Sequence, residues 1–485
     1  MCISLNIDTT VNYPQHSPFH PDCIYPELNR LGLTQTDSTN RLYKNIRTLF
    51  EDMGLDSKRI GSSSWNPFSD FIAPGDRVLI KPNLVLHHNK RNKDISAVVT
   101  HASVIRPIID YVLLALQGKG VVIIGDAPHG DADFESIVKS NGLRELVDWF
   151  RDFKGINVEL RDFRKYVYPG GFDSSVCQRV DLDPEGYILV DLGHLSKLNG
   201  LVHIERLYGS DYNRKHIVQQ HSGGSHKYLI SGTVLNADVI ISVPKLKTHK
   251  KTGVTVNLKN LVGINGDKNY LAHYRVGSPS HGGDEYPDTK NIIAWISRAY
   301  SAFSRDILLA PNKKALRYLN RILRIPFLLL SNIYTKMSSA KVIDQGNWYG
   351  NDTCWRMCLD LNYILQFADK KGNLHTKSQR KYFCLVDGII SGEGNGPMEP
   401  DPKKCGILVA GNNPYKTDFI CTYIMGFDTQ KLKLISESVK DTAVGFMPNK
   451  LKVSCRKDRM IIPYHELNLN FKPHYSWEKK IERSI

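Results

Sequence analysis

Short apolar runs, each closed by polar residues, set the pattern along the chain. Val78-Leu79-Ile80 stands between Gly75 and Pro82 and has the length of a buried strand. Val121 to Ile124 and Val239 to Val243 repeat the pattern, and Phe383 to Val386 and Ile407 to Ala410 do so later. Helical spacing separates these runs. Leu42, Ile46, Leu49 and Phe50 share one face within 40–53, and Ile105, Ile108, Val112 and Leu116 share one within 103–116. Another helix is expected over 415–424. The strand–helix–strand order over 78–124 predicts a parallel pair joined by a right-handed crossover. The expected fold class is α/β, with mainly parallel sheets flanked by helices, arranged as two lobes.

The same pattern suggests boundaries. Residues 1–74 read as an N-terminal extension, 75–289 as the first part of the α/β core and 346–430 as its second part. Between them, 290–345 reads as a basic helical insertion, with Ile292, Ile296, Tyr300 and Phe303 in one stripe. Residues 298–344 carry nine Lys or Arg against Asp306 and Asp344. Such a segment either packs on the body or lies on an anionic membrane surface. Residues 431–485 read as a small appendage without chemistry.

Residues able to do chemistry follow each buried run. Lys81 and Asn83 follow the first, Asp126 and His129 the second, Pro244 to His249 the third and Asp387 the fourth. In open parallel sheets, ligands bind beyond the carboxyl ends of the strands. The densest segment, 244–260, holds Lys245, Lys247, His249, Lys250, Lys251, Asn257, Lys259 and Asn260. If it is extended, Lys245, Lys247 and His249 share a face. Ammonium groups beside an imidazole make an anion site. Crowding also depresses lysine pKa values, which readies an amine for nucleophilic or Schiff-base work. Lys245, Lys247 and Lys259 are expected to hold the anion, with His249 and Lys259 catalytic and His129 a further catalytic candidate. The plainer alternative is a solvated basic loop.

A second dense point is Ser391 to Pro397, where Gly394 and Gly396 would let backbone approach a ligand. Asp387 and Glu393 are candidates for binding a divalent metal or for general acid–base work. A surface turn is the alternative there. Thr100 and His101 are candidates to line the same crevice. His221 to His226 (HSGGSH) and His281-Gly282-Gly283 match no spacing with a known mechanism and read as flexible loops.

Composition narrows the function classes. Over 485 residues, 41% are apolar and 23% charged, which is globular usage. The nine cysteines include no Cys-x-x-Cys pair, so reduced core thiols are expected and neither a four-cysteine zinc site nor an iron–sulfur cluster is. Cys354 and Cys358 could share a helix face. A net charge of +15 favours an anionic partner, but the basic residues form no nucleic-acid motif. No apolar run is long enough to span a bilayer, and the N-terminus lacks the features of a secretory signal. A cytoplasmic location is expected, with peripheral contact to the inner membrane face through 298–344 as the membrane reading. No phosphate loop, dinucleotide fingerprint or Gly-x-Ser-x-Gly elbow is present.

Several motifs carry a family resemblance. They are VLIKPNL (78–84), Thr100-His101, IIGDAP (123–128), ADVIISVPKLKTH (237–249), NLKNLVGI (257–264), His273 and VDGIISGEGNGP (386–397). In these the chain resembles the uncharacterised family called Domain of Unknown Function 362, over about 76–430. Many members carry ferredoxin-type cysteine motifs, which this chain lacks. A more distant likeness is to the lactate racemase group, whose nickel-pincer cofactor is tethered to a lysine. His249, Lys259 and His273 fall in that group's order, and His129 resembles its upstream catalytic His. Its glycine-rich turn before the lysine is replaced by Val254-Thr255-Val256-Asn257. The basic insertion also resembles that of long members from cell-surface polysaccharide pathways.

The functional expectation is an enzyme acting on a phosphorylated or carboxylated small molecule. Lys81, Asn83, Thr100, His101, Asp126, Lys245, Lys247, Asn257, Asn260, His273, Gly394 and Gly396 are its expected substrate-binding residues. The alternatives are a non-catalytic module binding an anionic polymer or membrane, and a pincer-type racemase or isomerase.

Overall fold

The computed structural model describes residues 3–169, 177–209, 214–288, 343–458 and 460–483, with isolated positions between 289 and 342. The expected basic insertion lies outside the described residues, apart from those positions and its last three.

In chain order the strands of the central sheet begin with β1 (Ile3–Ile7), β2 (Arg77–Pro82), β3 (Val121–Asp126) and β4 (Val158–Asp162). Three minor two-stranded sheets use β5 (Tyr166–Val167) with β6 (Gln178–Arg179), β7 (Tyr187–Asp191) with β9 (Lys227–Ser231), and β8 (Leu207–Tyr208) with β13 (Tyr274–Arg275). The central sheet continues with β10 (Val239–Val243), β11 (Lys245–His249), β12 (Gly253–Thr255), β14 (Lys381–Glu393), β15 (Asp401–Gly411), β16 (Val453–Lys457) and β17 (Met460–Ile461). Its order is β17-β16-β1-β15-β14-β10-β2-β3-β4, and β11 and β12 branch from β14.

From β14 through β10, β2 and β3 to β4, every neighbour is parallel. The remaining half is mixed, with β15 antiparallel to both β14 and β1. Apolar alternation explains why this sheet is covered on both sides. Val78, Ile80, Val122, Ile124 and Ile241 enter one core with Leu42, Ile46 and Ile105. Leu79, Ile123 and Ile240 enter the other with Leu361, Ile364 and Ile420. Successive side chains point to opposite faces, so a run that is apolar throughout serves both cores.

The expected helices form at Arg41–Asp52, Ala102–Leu116 and Pro414–Ile424. The Asn40 and His101 side chains cap the first two by accepting from Tyr43 N and Ser103 N.

Three expectations about organisation are corrected. Residues 1–74 are not a separate extension: β1 lies inside the sheet, between β15 and β16, and every residue of it is buried. The two expected lobes share one sheet, because β14 of the second part pairs with β10 of the first. Residues 431–485 are not an appendage either, since β16 pairs in register with β1 from Ile3↔Val453 to Ile7↔Lys457.

Candidate functional site

Topology brings the chemistry together. From β2 the chain runs through β3 to β4 on one side, and β10 then inserts on the opposite side of β2. The carboxyl ends of adjacent parallel strands splay open at such a switch point. Here those ends carry Lys81 on β2, Asp126 on β3 and Pro244 after β10. Pro244 ends the first extended run, and β11 then rejoins β14 with Lys245 opposite Asp387.

Two buried ion pairs frame the site. Lys81 Nζ donates to Asp126 Oδ1 at 2.7 Å and to Asn260 Oδ1 at 3.2 Å, while Leu84 N donates to Asp126 Oδ2 at 2.7 Å. Lys245 Nζ donates to Asp387 Oδ2 at 2.6 Å and to the Tyr13 hydroxyl at 2.8 Å. Tyr13 in turn donates to Asp387 Oδ1 at 2.6 Å, and His101 N donates to Oδ2 at 3.1 Å. Burial pushes both lysines below their ordinary range, and the partner carboxylates oppose that fall. Both pairs are fully buried and hydrogen-bonded on several sides, as buried charge requires.

Between the pairs sits a group of cations with no carboxylate of their own. Lys247, 0% exposed, donates to Asn83 Oδ1 at 2.8 Å and to Val98 O at 2.6 Å. Burial, with Lys245 and Lys259 nearby, holds its amine well below the ordinary range. Among the described residues, no acceptor lies within hydrogen-bonding distance of the Lys259 ammonium. Lys251 donates to Gln345 O, and burial beside Lys250 brings its amine to about 7.

Two imidazoles complete this centre. His249 Nδ1 accepts from Lys251 N at 3.0 Å and from Thr252 N at 3.3 Å, so a neutral His249 carries its proton on Nε2. His273 Nδ1 donates to Leu271 O at 2.9 Å, which leaves Nε2 as a lone pair. Burial first, then Lys259, hold both rings well below the usual histidine range. The pair therefore presents one N–H and one lone pair beside the same ammonium, with exposures of 4% and 8%.

The other expected residues take more varied places. Asn83, Thr100 and Asn260 form the floor: Asn83 N donates to Thr100 Oγ1, Thr100 donates to Val243 O, and Asn260 Nδ2 donates to Lys81 O. His101 stacks on Tyr13 with ring centres 4.2 Å apart. Asn257 is turned to Asp418, which accepts from Asn257 N, Asn257 Nδ2 and Leu258 N and so fixes the short helix Asn257–Asn260 that carries Lys259. His129 pairs through Nδ1 with Asp131.

The expected metal pair is corrected. Glu393 accepts from Lys472 N at 3.0 Å and pairs with Lys403 at 3.1 Å, while Asp387 is saturated by Lys245, Tyr13 and His101. The two carboxylates stand six residues apart on one strand, on the order of 20 Å. Among the described residues, no group of three His, Cys, Asp or Glu is arranged to hold a metal ion. Gly394 and Gly396 serve packing: Thr248 Oγ1 donates to Gly394 O, and Lys250 N to Gly396 O. A Cβ on Gly396 would lie 1.9 Å from Thr248 O.

Four contributors were assigned no role from the motifs. Tyr13 belongs to no motif. Asp418 lies inside the helix Pro414–Ile424. Lys251 is one of several lysines in a run. Cys354, whose thiol Cys358 and Lys259 bring down to about 7, begins the helix Cys354–Phe367. Asp418, the one carboxylate of a largely buried helix, is the signal among these that pattern could have flagged.

His249, Lys259 and His273 do gather as the racemase likeness implies. The surroundings do not fit a tethered cofactor of that kind. An open glycine turn would have to precede the lysine, but here β12 is paired to β11 and leads directly into the helix fixed by Asp418.

Comparison with known proteins agrees with the architecture. The model of the family described as "Domain of unknown function (DUF362)" matches residues 78–180 and 191–423, and the chain belongs to this family. The matched segments include each strand end that builds the site. The chain is also similar to the thylakoid-associated protein sll1697 of Synechocystis sp. (strain ATCC 27184 / PCC 6803 / Kazusa), at 21% identity over 397 residues. That match covers 81% of this chain and 73% of the relative.

Proposed function

We propose that the chain is an enzyme that binds a phosphorylated or carboxylated small molecule at Lys259 and moves a proton with His249 and His273. One observation carries this reading. The nearby carboxylates Asp126 and Asp387 are committed to Lys81 and Lys245, and Lys259, 9% exposed, is left without an acceptor beside Lys247 and the two imidazoles. Such a site is electrostatically incomplete until an anion enters.

Binding and chemistry are coupled in this arrangement. Lys259 depresses both imidazoles while its charge is unmatched. An anion on Lys259 offsets that charge and raises the basicity of His273 Nε2 when the substrate is in place. His249 presents Nε2–H to an oxygen on which negative charge develops, as a neutral imidazole can. Lys251 supplies a second positive charge at the rim.

The test is calorimetric titration of the purified full chain with pyrophosphate and with citrate as probes of the two anion classes. Binding of either, weakened at least tenfold by Lys259→Met and little changed by Lys403→Met, is the expected result. No binding of either anion to folded protein would remove the reading, as would equal binding by the Lys259→Met variant.

A further inference from the structure

The segment His221-Ser222-Gly223-Gly224-Ser225-His226 forms a loop whose middle residues Ser222, Gly223 and Gly224 are exposed and whose ends turn inward. Both histidines are buried, with exposures of 1% and 4%. They line a cavity of about 350 Å³ whose other walls include Leu198, Leu201, Ile204 and Val218. None of the residues that build the Lys259 centre is among those lining this cavity.

The polar atoms here are unusual. His221 Nε2 stands 2.8 Å from Tyr270 O and therefore donates to it. A neutral His221 must then carry a bare lone pair on Nδ1. That atom is buried without a hydrogen-bond partner, and so is Nδ1 of His226. Leaving one such group unsatisfied costs about 1–3 kcal/mol, and two on neighbouring rings call for an explanation. Both atoms are closed to water-sized contacts, so whatever satisfies them approaches more closely than water does or comes with a small movement.

We propose that His221 and His226 together hold a divalent transition-metal ion of the zinc class through their Nδ1 atoms. Three observations support the site. The ring centres are 5.8 Å apart with planes inclined by 33°. Two imidazoles bound at about 2.0–2.1 Å to one tetrahedral ion set their ring centres roughly 5–6 Å apart. The Nε2–H bond from His221 to the Tyr270 carbonyl is the outer-shell contact that orients a ligating imidazole and fixes its tautomer. The Asp191 carboxylate, which accepts from His226 N at 2.8 Å and Gly193 N at 2.9 Å, places a negative charge beside both rings. Among the described residues no third protein ligand completes the set. The protein side of the coordination set is thus incomplete, and the affinity is modest.

The experiment uses the full chain, stripped with a chelator and titrated with Co²⁺ and then Zn²⁺. Visible absorption reports cobalt coordination, and equilibrium dialysis reports stoichiometry. One ion per chain is expected at micromolar concentration, with the affinity lowered at least tenfold by His226→Gln and by His221→Gln. His273→Ala is expected to leave this binding in place. Circular dichroism of each metal-free variant confirms that loss of binding is not loss of fold, and His226→Gln, at the edge of the loop, is the safer of the two. The proposal is overturned if the folded wild-type chain takes up neither ion. It is equally overturned if uptake survives both substitutions, or is lost with His273 instead.

Discussion

At the scale of single residues, small distances decide the outcome. Gly263 lies so close to the Lys81–Asp126 pair that a Cβ there would stand 1.8 Å from Asp126 Oδ1 and 2.8 Å from Lys81 Nζ. Gly263→Ala is therefore expected to displace the pair and lower the chemical-denaturation midpoint by an amount equivalent to several kcal/mol. Alanine at Gly54, where nothing lies within 4 Å of the new Cβ but φ is +74°, should cost only the backbone strain, about 1 kcal/mol. Lys251 offers a test by pH. Its amine is brought to about 7, so it is charged below that pH and neutral above it. Anion affinity is expected to fall as pH rises through 7, and Lys251→Gln should flatten that step in titrations at pH 6 and pH 8.

The buried histidines act in the opposite direction on stability. The His221 ring stays neutral until about pH 4, whereas an unfolded histidine takes up its proton near 6.5. The unfolded chain thus binds more protons between those values. The contribution of His221 is complete above 6.5 and is lost as pH falls toward 4, roughly 3 kcal/mol in all. Denaturation midpoints of metal-free protein should decline across this window, and His221→Gln should decline less steeply.

At the scale of elements, the strand ends act as units. Removing one partner of the Lys245–Asp387 pair by Lys245→Met leaves a buried carboxylate held by the neutral donors Tyr13, His101 N and Ile389 N. The expected cost is about 3–5 kcal/mol, and the double variant Lys245→Met with Asp387→Leu should recover part of it. Thermal melts of the single and double variants measure both.

Pattern made some elements legible and hid others. Val78 to Ile80 and Val239 to Val243 stood out because strands buried on both faces are apolar throughout. β14 was legible only over its first third: from Asp387 onward its polar and glycine residues face the site and close contacts, which breaks the apolar run. Lys81, Lys245, Lys247 and Lys259 were found because they follow such strands directly. Their partners were not, because pairing across hundreds of residues leaves no local trace. Tyr13 meets Asp387 from 374 positions away, and Asp418 meets Asn257 from 161. Asp387 and Glu393 looked like a pair because they are near in sequence, yet an extended strand carries them apart.

At the scale of the molecule, one mixed sheet unites segments that composition divides. β1 is short, with Ser4 and Asn6 between its apolar residues, and nothing local marks it as interior. Its burial follows from having β15 on one side and β16 on the other. Deleting residues 1–12 would remove that strand and detach Tyr13 from its lead-in. The truncated protein is expected to lose cooperative unfolding, as seen by differential scanning calorimetry. Among the described residues no helix is long and apolar enough to cross a membrane.

The position of β1 also has a consequence for biosynthesis. Residues 3–7 find their hydrogen-bonding neighbours only when 401–411 and 453–457 have been made. Until then Ile3, Leu5 and Ile7 have no companion strand, and the nascent protein must carry an unmatched sticky segment while 8–400 are added. Closing this part of the sheet is consequently late, with a large loop to close, and therefore slow. Newly made chains should depend on holding chaperones far more than the size of the finished protein would suggest.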